Sequence, residues 1–256
     1  MTEILLYDYF IQFELTNLLK LIKIGFYMFF CIYYFVRVRV RREEGSPTTF
    51  EGLAGTFFLF MLLGSVWEVF MLVIDPIFFG IGFYTMNLLP TLVIPFTPIT
   101  FFATFTGEQL VYFLGFIGLG LLSLGIERGS NLPTKGVISV IPFALAVATL
   151  IYGPTVTTLP WFLFAFAAAI VPGLFFYIAA KSSDEIRSKS LNIGFGYFFI
   201  FAGEAINISI LYRAMPEWPA WIQNVILFGL PMDFTMPLFS IIGCLLLVMG
   251  LIRYRD

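Results

Sequence analysis

Long apolar runs, each close to the length that crosses a membrane, follow one another along this chain with short polar connectors between them. A transmembrane helix needs about 20 mostly apolar residues. Only 12% of the 256 residues are charged, whereas a soluble domain carries about 25%. We therefore predict an all-α fold, a polytopic membrane helical bundle that forms one integral membrane domain over residues 1–256.

Hydropathy predicts seven spans, and each has about the 17–25 residues that a crossing requires. They cover approximately residues 18–36, 53–74, 109–126, 136–152, 159–180, 190–212 and 226–251. Residues 1–15 are aromatic and acidic, and we expect them to lie at the membrane interface. Lys20 and Lys23, near the start of the first span, are expected to extend their ammonium groups towards that interface.

A basic cluster after the first span sets the orientation, and it consists of Arg37, Arg39, Arg41 and Arg42. Basic loops stay on the cytoplasmic side, so we predict a multi-pass protein of the cell membrane with its N-terminus outside and its C-terminus in the cytoplasm. The apolar residues 76–106, which glycines and prolines interrupt, fit a further span or an external interfacial or re-entrant segment. The second alternative is preferred, because it keeps the later basic connectors on the arginine side.

Acidic residues inside the apolar runs give the best indication of function. Read as a helix, residues 190–212 place Glu204 and Asn207 on one side. No lysine or arginine is expected at mid-membrane to neutralise the acids, and a carboxylate in hydrocarbon normally faces protein or water. The sequence thus predicts either protonated carboxylates that tie helices together or an outward-facing ligand or ion pocket formed by Glu68, Glu204, Asn207 and Asp233.

Small residues accompany these acids in two of the predicted spans. Gly64 lies near Glu68, and Gly196 and Gly203 lie on the side of the sixth span that carries Glu204. Small residues let membrane helices approach closely. We therefore predict that Gly64, Gly196 and Gly203 form helix-packing interfaces.

Residue usage excludes several kinds of chemistry. The chain has no histidine and only two cysteines, which removes the usual general base and the commonest metal ligand. No metal-binding, paired-carboxylate or phosphate-binding spacing is apparent, so no catalytic residue, metal or cofactor is expected. The net charge of −2 argues against a nucleic-acid partner. The inner arginines suit anionic lipid headgroups as well as topology.

The short basic connector Lys181–Lys189 is followed by a glycine- and aromatic-rich helix that begins Leu191-Asn192-Ile193-Gly194-Phe195-Gly196. This layout resembles the seven-helix membrane modules of archaeal membrane proteins, including the input regions of some sensor kinases. The resemblance implies a non-enzymatic sensory, scaffold or accessory role. No output domain follows Asp256 in this sequence, so we expect action through another membrane or cytoplasmic protein, or through self-association. The layout also resembles microbial rhodopsins, but residues 226–251 lack the lysine that would bind retinal.

Two other functions are compatible with the sequence. A small transporter or channel subunit would move protons, cations or amines along the carboxylates. An intramembrane enzyme acting on lipid would need acids near the inner basic loops, where only Glu127 and the connector acids lie. We rank the transporter second and the enzyme last.

Overall fold

The computed structural model of the protein describes residues 2–69, 107–129, 134, 136–151, 158–205, 226–227 and 230–252. These residues form seven helices, which are α1 (Thr2–Glu43), α2 (Thr49–Val69), α3 (Gly107–Gly129), α4 (Val137–Ile151), α5 (Thr158–Lys181), α6 (Asp184–Ala205) and α7 (Met232–Ile252). A short antiparallel pair, β1 (Ile226–Leu227) and β2 (Leu230–Pro231), precedes α7. The all-helical prediction is confirmed for this part of the chain.

Two helical stretches among the described residues have the length and apolar composition needed to cross a membrane, Asn17–Glu43 and Thr49–Trp67. Shorter apolar stretches lie in α4, α5 and α7, at Val137–Thr149, Ala167–Lys181 and Met236–Leu251. A membrane location for this chain is therefore allowed by two helices, and crossing by the others stays a prediction.

Helix α1 is continuous over 42 residues, although the sequence predicts an interfacial segment before a span at 18–36. At 1.5 Å per residue it is about 63 Å long, roughly twice the thickness of a hydrocarbon core. The helix ends at Glu43 because Gly45 adopts a left-handed φ of 71°. The backbone N–H of Ser46 then donates to the Arg41 carbonyl at 2.9 Å, the Schellman arrangement.

The predicted polar connector Lys181–Lys189 is shorter than expected, because α6 already begins at Asp184. The backbone N–H of Arg187 donates to the Ser183 carbonyl at 2.7 Å, which forms the first helical turn. Two acidic residues occupy that turn, where negative charge interacts favourably with the helix dipole. The last helix begins later than predicted. The predicted start at 226 falls in the β-pair, and α7 begins at Met232.

The chain divides into two compact units, residues 1–27 with 168–256, and residues 28–167. In the second unit the C-terminal half of α1 packs on α2 through aromatic rings. The ring of Phe58 stacks against Phe30 and Tyr34, with centroids 4.9 and 5.8 Å apart. Near the other end of this contact Arg41 forms an ion pair with Glu51 at 2.9 Å, so the two helices are antiparallel.

Helices α2 and α3 of the same unit are also antiparallel. A Cβ atom added at Gly118 would lie 3.2 Å from Phe57, and one added at Gly125 would lie 3.2 Å from Leu53. The contacts on α2 thus move backwards as the chain advances along α3. Consequently the end of α2 and the start of α3 lie at the same end of this unit, opposite the end that carries Glu51.

Candidate functional site: a buried lysine–glutamate pair

Glu204, in the last turn of α6, forms an ion pair with Lys23 of α1 inside the unit made of residues 1–27 and 168–256. The Lys23 ammonium donates to Glu204 Oε1 at 3.0 Å, and the Tyr27 hydroxyl donates to the same oxygen at 3.0 Å. The side chain of Lys23 is 1% exposed and that of Glu204 is 15% exposed. Lys23, Tyr27 and Glu204 are called the charged cluster below. Two of them carry opposite charges, and all three lie among apolar helices.

The surroundings of the charged cluster are asymmetric. The ammonium nitrogen of Lys23 lies 5.9 Å from the centroid of the Tyr27 ring, a cation–π contact. Ser240 of α7 interacts with the Tyr27 side chain, and its hydroxyl donates to the Met236 carbonyl at 3.1 Å. The second carboxylate oxygen of Glu204, Oε2, accepts no hydrogen bond within the part of the chain that the structure describes. Oε1 thus accepts two hydrogen bonds, and Oε2 accepts none from the described residues.

Lys23 corrects two sequence expectations. Its ammonium was expected at the interface, and the buried acids were expected to lack a cationic neighbour. Removing a single charge from water costs several kcal/mol, whereas a hydrogen-bonded pair offsets much of that cost. The side chain therefore turns inward to Glu204 instead of extending outward. A signal for this was present, because Lys23, Tyr27, Phe30 and Tyr34 recur at spacings of four, three and four, and all are buried.

Of the four residues predicted to form an outward acidic pocket, only Glu204 has a described side chain. The side chains of Glu68 and Asp233, and Asn207 as a whole, lie outside the described residues. The pocket therefore stays a prediction. Its described member has a neutral environment overall, because the Lys23 charge balances that of Glu204.

Helices α6 and α7 pack backbone to backbone beside the charged cluster. A Cβ atom at Gly203 would lie 2.6 Å from the Met236 carbonyl oxygen, and one at Gly196 would lie 2.9 Å from the Gly243 carbonyl oxygen. In return, a Cβ atom at Gly243 would lie 2.5 Å from the Gly196 carbonyl oxygen. This close approach fixes the α6 backbone immediately before Glu204. Gly64, the third predicted packing glycine, is buried on α2.

Three of the four predicted membrane-surface arginines have a partner among the described residues. Arg41 pairs with the buried Glu51, and Arg39 pairs with Glu43 at 3.2 Å one turn along α1. The Arg37 guanidinium donates to the Tyr33 hydroxyl at 2.9 Å. Arg42 is exposed. Contact of this cluster with lipid headgroups stays a prediction.

Glu127, just beyond the predicted span 109–126, has a structural role that the sequence analysis missed. Its carboxylate accepts backbone N–H groups from Gly136, Ile138 and Ser139 at 3.2, 3.2 and 3.0 Å. Gly136 immediately precedes α4, and Ile138 and Ser139 lie in its first turn, where backbone N–H groups have no hydrogen-bond partners within the helix. Burial alone raises the pKa of Glu127, but the Thr134 side chain and the three amides outweigh it and hold the pKa below its ordinary value.

Glu127→Gln is expected to reduce the free energy of unfolding by about 1–2 kcal/mol at neutral pH, because a charged acceptor of three amides becomes a neutral one. The folded pKa lies below the unfolded value of about 4.3. The stabilisation is therefore complete above about pH 4.3 and is lost as the pH falls through the folded pKa. Thermal unfolding against pH measures this effect. The exposed Glu185, paired with Lys189 at 2.7 Å, is the control, and an equal loss in Glu185→Gln would contradict the assignment.

Comparison with known protein families, curated proteins and solved structures finds no match. The resemblance to archaeal seven-helix modules therefore stays a prediction that the sequence layout carries. No group of three or more metal-ligating side chains occurs in the described ranges. The charged cluster is the arrangement from which function is argued below.

Proposed function

We propose that this chain is a multi-pass integral membrane protein that acts as a non-enzymatic sensory, scaffold or accessory subunit through a partner. The membrane part of the proposal is supported by an inverted distribution of side chains. Polar groups such as Lys23, Glu127 and Ser240 are buried. Large apolar side chains are exposed along the helices, among them Leu18, Leu21, Ile32, Val36, Val137, Val140, Val147, Phe198, Leu245 and Met249.

The exposed apolar face of α1 illustrates the physical argument. Leu21 is 54% exposed, Ile32 is 56% exposed and Val36 is 55% exposed. Burying one such side chain stabilises a fold in water by about 1.5–3 kcal/mol, and soluble monomers seldom expose a continuous apolar face. In a hydrocarbon environment the exposure of these apolar side chains carries no hydrophobic free-energy penalty. The same solvent explains why the lysine of α1 requires a carboxylate partner.

The orientation of α2 and α3 supports the proposed topology. The end of α2 at Val69 and the start of α3 at Gly107 lie at one end of the unit, opposite the end of α1 that carries the arginines. The structure of residues 76–106 themselves lies outside the described part of the chain. If both helices cross the membrane, their antiparallel arrangement places Val69 and Gly107 on the same side of it. That placement fits seven spans with the basic connectors inside.

Cysteine labelling from each side of the membrane tests this topology. Single cysteines replace Thr85, Thr134 and Ser183 in a chain whose native cysteines, Cys31 and Cys244, are changed to alanine. We expect an impermeant maleimide to label position 85 from outside only, and positions 134 and 183 from inside only. Labelling of 134 and 183 from outside would mean that residues 76–106 cross completely. Labelling of all three from one side would contradict a multi-pass arrangement.

The non-enzymatic and partner-dependent parts of the proposal rest on different observations. The sequence has no histidine, and the Glu204 carboxylate is engaged by Lys23 and Tyr27, so it is not poised as a general base. The sensory or accessory role follows from the layout of short basic connectors and apolar helices. Cross-linking in native membranes, followed by size determination of the solubilised protein, tests it. A chain that stays monomeric and catalyses ion flux by itself would contradict it.

A small transporter for protons, cations or amines is the second function, and one observation favours it. The charged cluster places among apolar helices the Glu204 carboxylate, whose Oε2 accepts no hydrogen bond from the described residues. Ionisable residues at such depth commonly line routes for protons or ions. Ion or amine uptake by vesicles that contain the purified protein separates this function from the first.

A further inference from the structure

The charged cluster combines two groups that recognise a primary ammonium, a carboxylate and an aromatic ring, with a hydroxyl that holds the carboxylate. A carboxylate from Glu204 supplies the opposite charge at 3.0 Å, and the Tyr27 ring faces the nitrogen at 5.9 Å. The Tyr27 hydroxyl donates to the same carboxylate oxygen and so fixes its position. Carboxylate and aromatic face together are the usual recognition chemistry for a desolvated alkylammonium.

We propose that Lys23, Tyr27 and Glu204 form a binding site for primary alkylammonium compounds, which the chain's own Lys23 fills in this structure. The inference rests on the second function proposed above and narrows its cargo or ligand class to amines. A free amine would take the place of the Lys23 head group and leave the Glu204 and Tyr27 contacts unchanged.

The exposure of the cluster indicates how a ligand reaches it. Lys23 is 1% exposed and Tyr27 is fully buried, whereas the Glu204 side chain is 15% exposed. Oε2, which accepts no hydrogen bond from the described residues, belongs to Glu204, the most exposed member of the charged cluster. An incoming ammonium therefore meets the carboxylate first and can bind Oε2 before Lys23 leaves Oε1. This order keeps Glu204 paired with a cation at every step.

The aliphatic part of Lys23 defines the size of the ligand. Lys23→Ala removes three methylenes and the ammonium, which is the outline of n-propylammonium. Cavities left by such truncations in packed helices relax only partly. The variant is therefore expected to accept n-propylammonium in the space that the lysine side chain occupied.

Thermal unfolding of purified Lys23→Ala in detergent, titrated with n-propylammonium chloride, tests the inference. We expect a saturable rise of the melting temperature by about 5–10 °C at roughly 100 times the dissociation constant. The wild type should respond far less, because the amine must displace Lys23. n-Propanol, which has the same shape without the charge, should have no effect, and neither should the amine on Lys23→Ala/Glu204→Gln.

Three results decide the question. If Lys23→Ala folds only when n-propylammonium is present during solubilisation, the yield of folded protein with and without the amine supports the inference. If the amine changes neither yield nor melting temperature of Lys23→Ala, the site does not recognise ammonium and the inference is wrong. An equal response in Lys23→Ala/Glu204→Gln is an unspecific detergent effect and also overturns it. Failure here leaves the labelling and uptake experiments unaffected, so the membrane topology and transport are judged separately.

Discussion

Glu204→Gln is expected to destabilise the protein by about 3–5 kcal/mol, because it removes the negative charge that Glu204 supplies to the buried Lys23 ammonium at 3.0 Å. Lys23 is 1% exposed, so water cannot replace the lost carboxylate unless the helices separate. Lys23→Met should have an effect of similar size, since among the described residues the carboxylate of Glu204 then keeps only the Tyr27 hydroxyl as a donor. Unfolding of the purified protein in detergent, followed by circular dichroism, gives the loss of free energy.

A double-mutant cycle shows whether the loss comes from the pair itself. Lys23→Met/Glu204→Gln removes both charges and should be more stable than either single variant, because no isolated charge remains buried. The matched control is Arg39 with Glu43, an ion pair on the same helix whose side chains are 85% and 68% exposed. Its removal should change stability little. Additive losses at Lys23 and Glu204 would show that the two residues act independently.

The helices could be predicted well from the sequence because apolar runs and turn signals specify them locally. Helix α2 begins at Thr49, a few residues before the predicted span at 53, and the Thr48 carbonyl accepts the Gly52 N–H at 3.0 Å. The N-terminal half of α1 was predicted less well. Hydropathy detects the continuously apolar part of a helix, whereas residues 2–17 continue the same helix with acidic and polar side chains between aromatic and aliphatic ones. The β-pair before α7 was missed since its residues are as apolar as those of the helix.

The candidate site was predicted only in part, for a physical reason. A glutamate in hydrocarbon requires a partner, and that argument identified Glu204. The partner lies 181 residues away, and a lysine near a helix end satisfies the same rules by extending to the interface. Composition alone does not distinguish a lysine that extends to the interface from one that turns inward to a carboxylate. The buried side of α1, on which Lys23 and Tyr27 lie, determines that Lys23 turns inward.

The packing glycines show the same division between local and tertiary information. Gly196 and Gly203 were predicted from their place beside Glu204, but Gly243 and Gly250 on α7 were not. The signal was the shared spacing of seven residues, which repeats on both helices and brings small residues to one side. In the structure Gly250 lies against Ile193, and Gly243 lies against Gly196. Close packing of α6 on α7 thus precedes, and positions, the charged residue that follows Gly203.

Gly243→Ala is expected to destabilise the protein by about 1–3 kcal/mol, although alanine is the better helix former. The new Cβ atom would lie 2.5 Å from the Gly196 carbonyl oxygen and 2.7 Å from the Ile200 nitrogen. These are backbone atoms, so relief requires that α6 and α7 move apart. The same movement would shift Glu204 relative to Lys23, and the effect should therefore not be additive with that of Glu204→Gln.

Gly25→Ala is the matched control for this steric argument, because it too lies within a helix but has no atom within 4 Å of the added Cβ. Alanine there should raise stability by roughly 0.5–1 kcal/mol through helix propensity alone. Opposite signs for the two variants would separate close helix packing from backbone preference. If Gly243→Ala were also stabilising, α6 and α7 would be free to adjust, and close backbone packing could not be what positions Glu204 for its ion pair with Lys23.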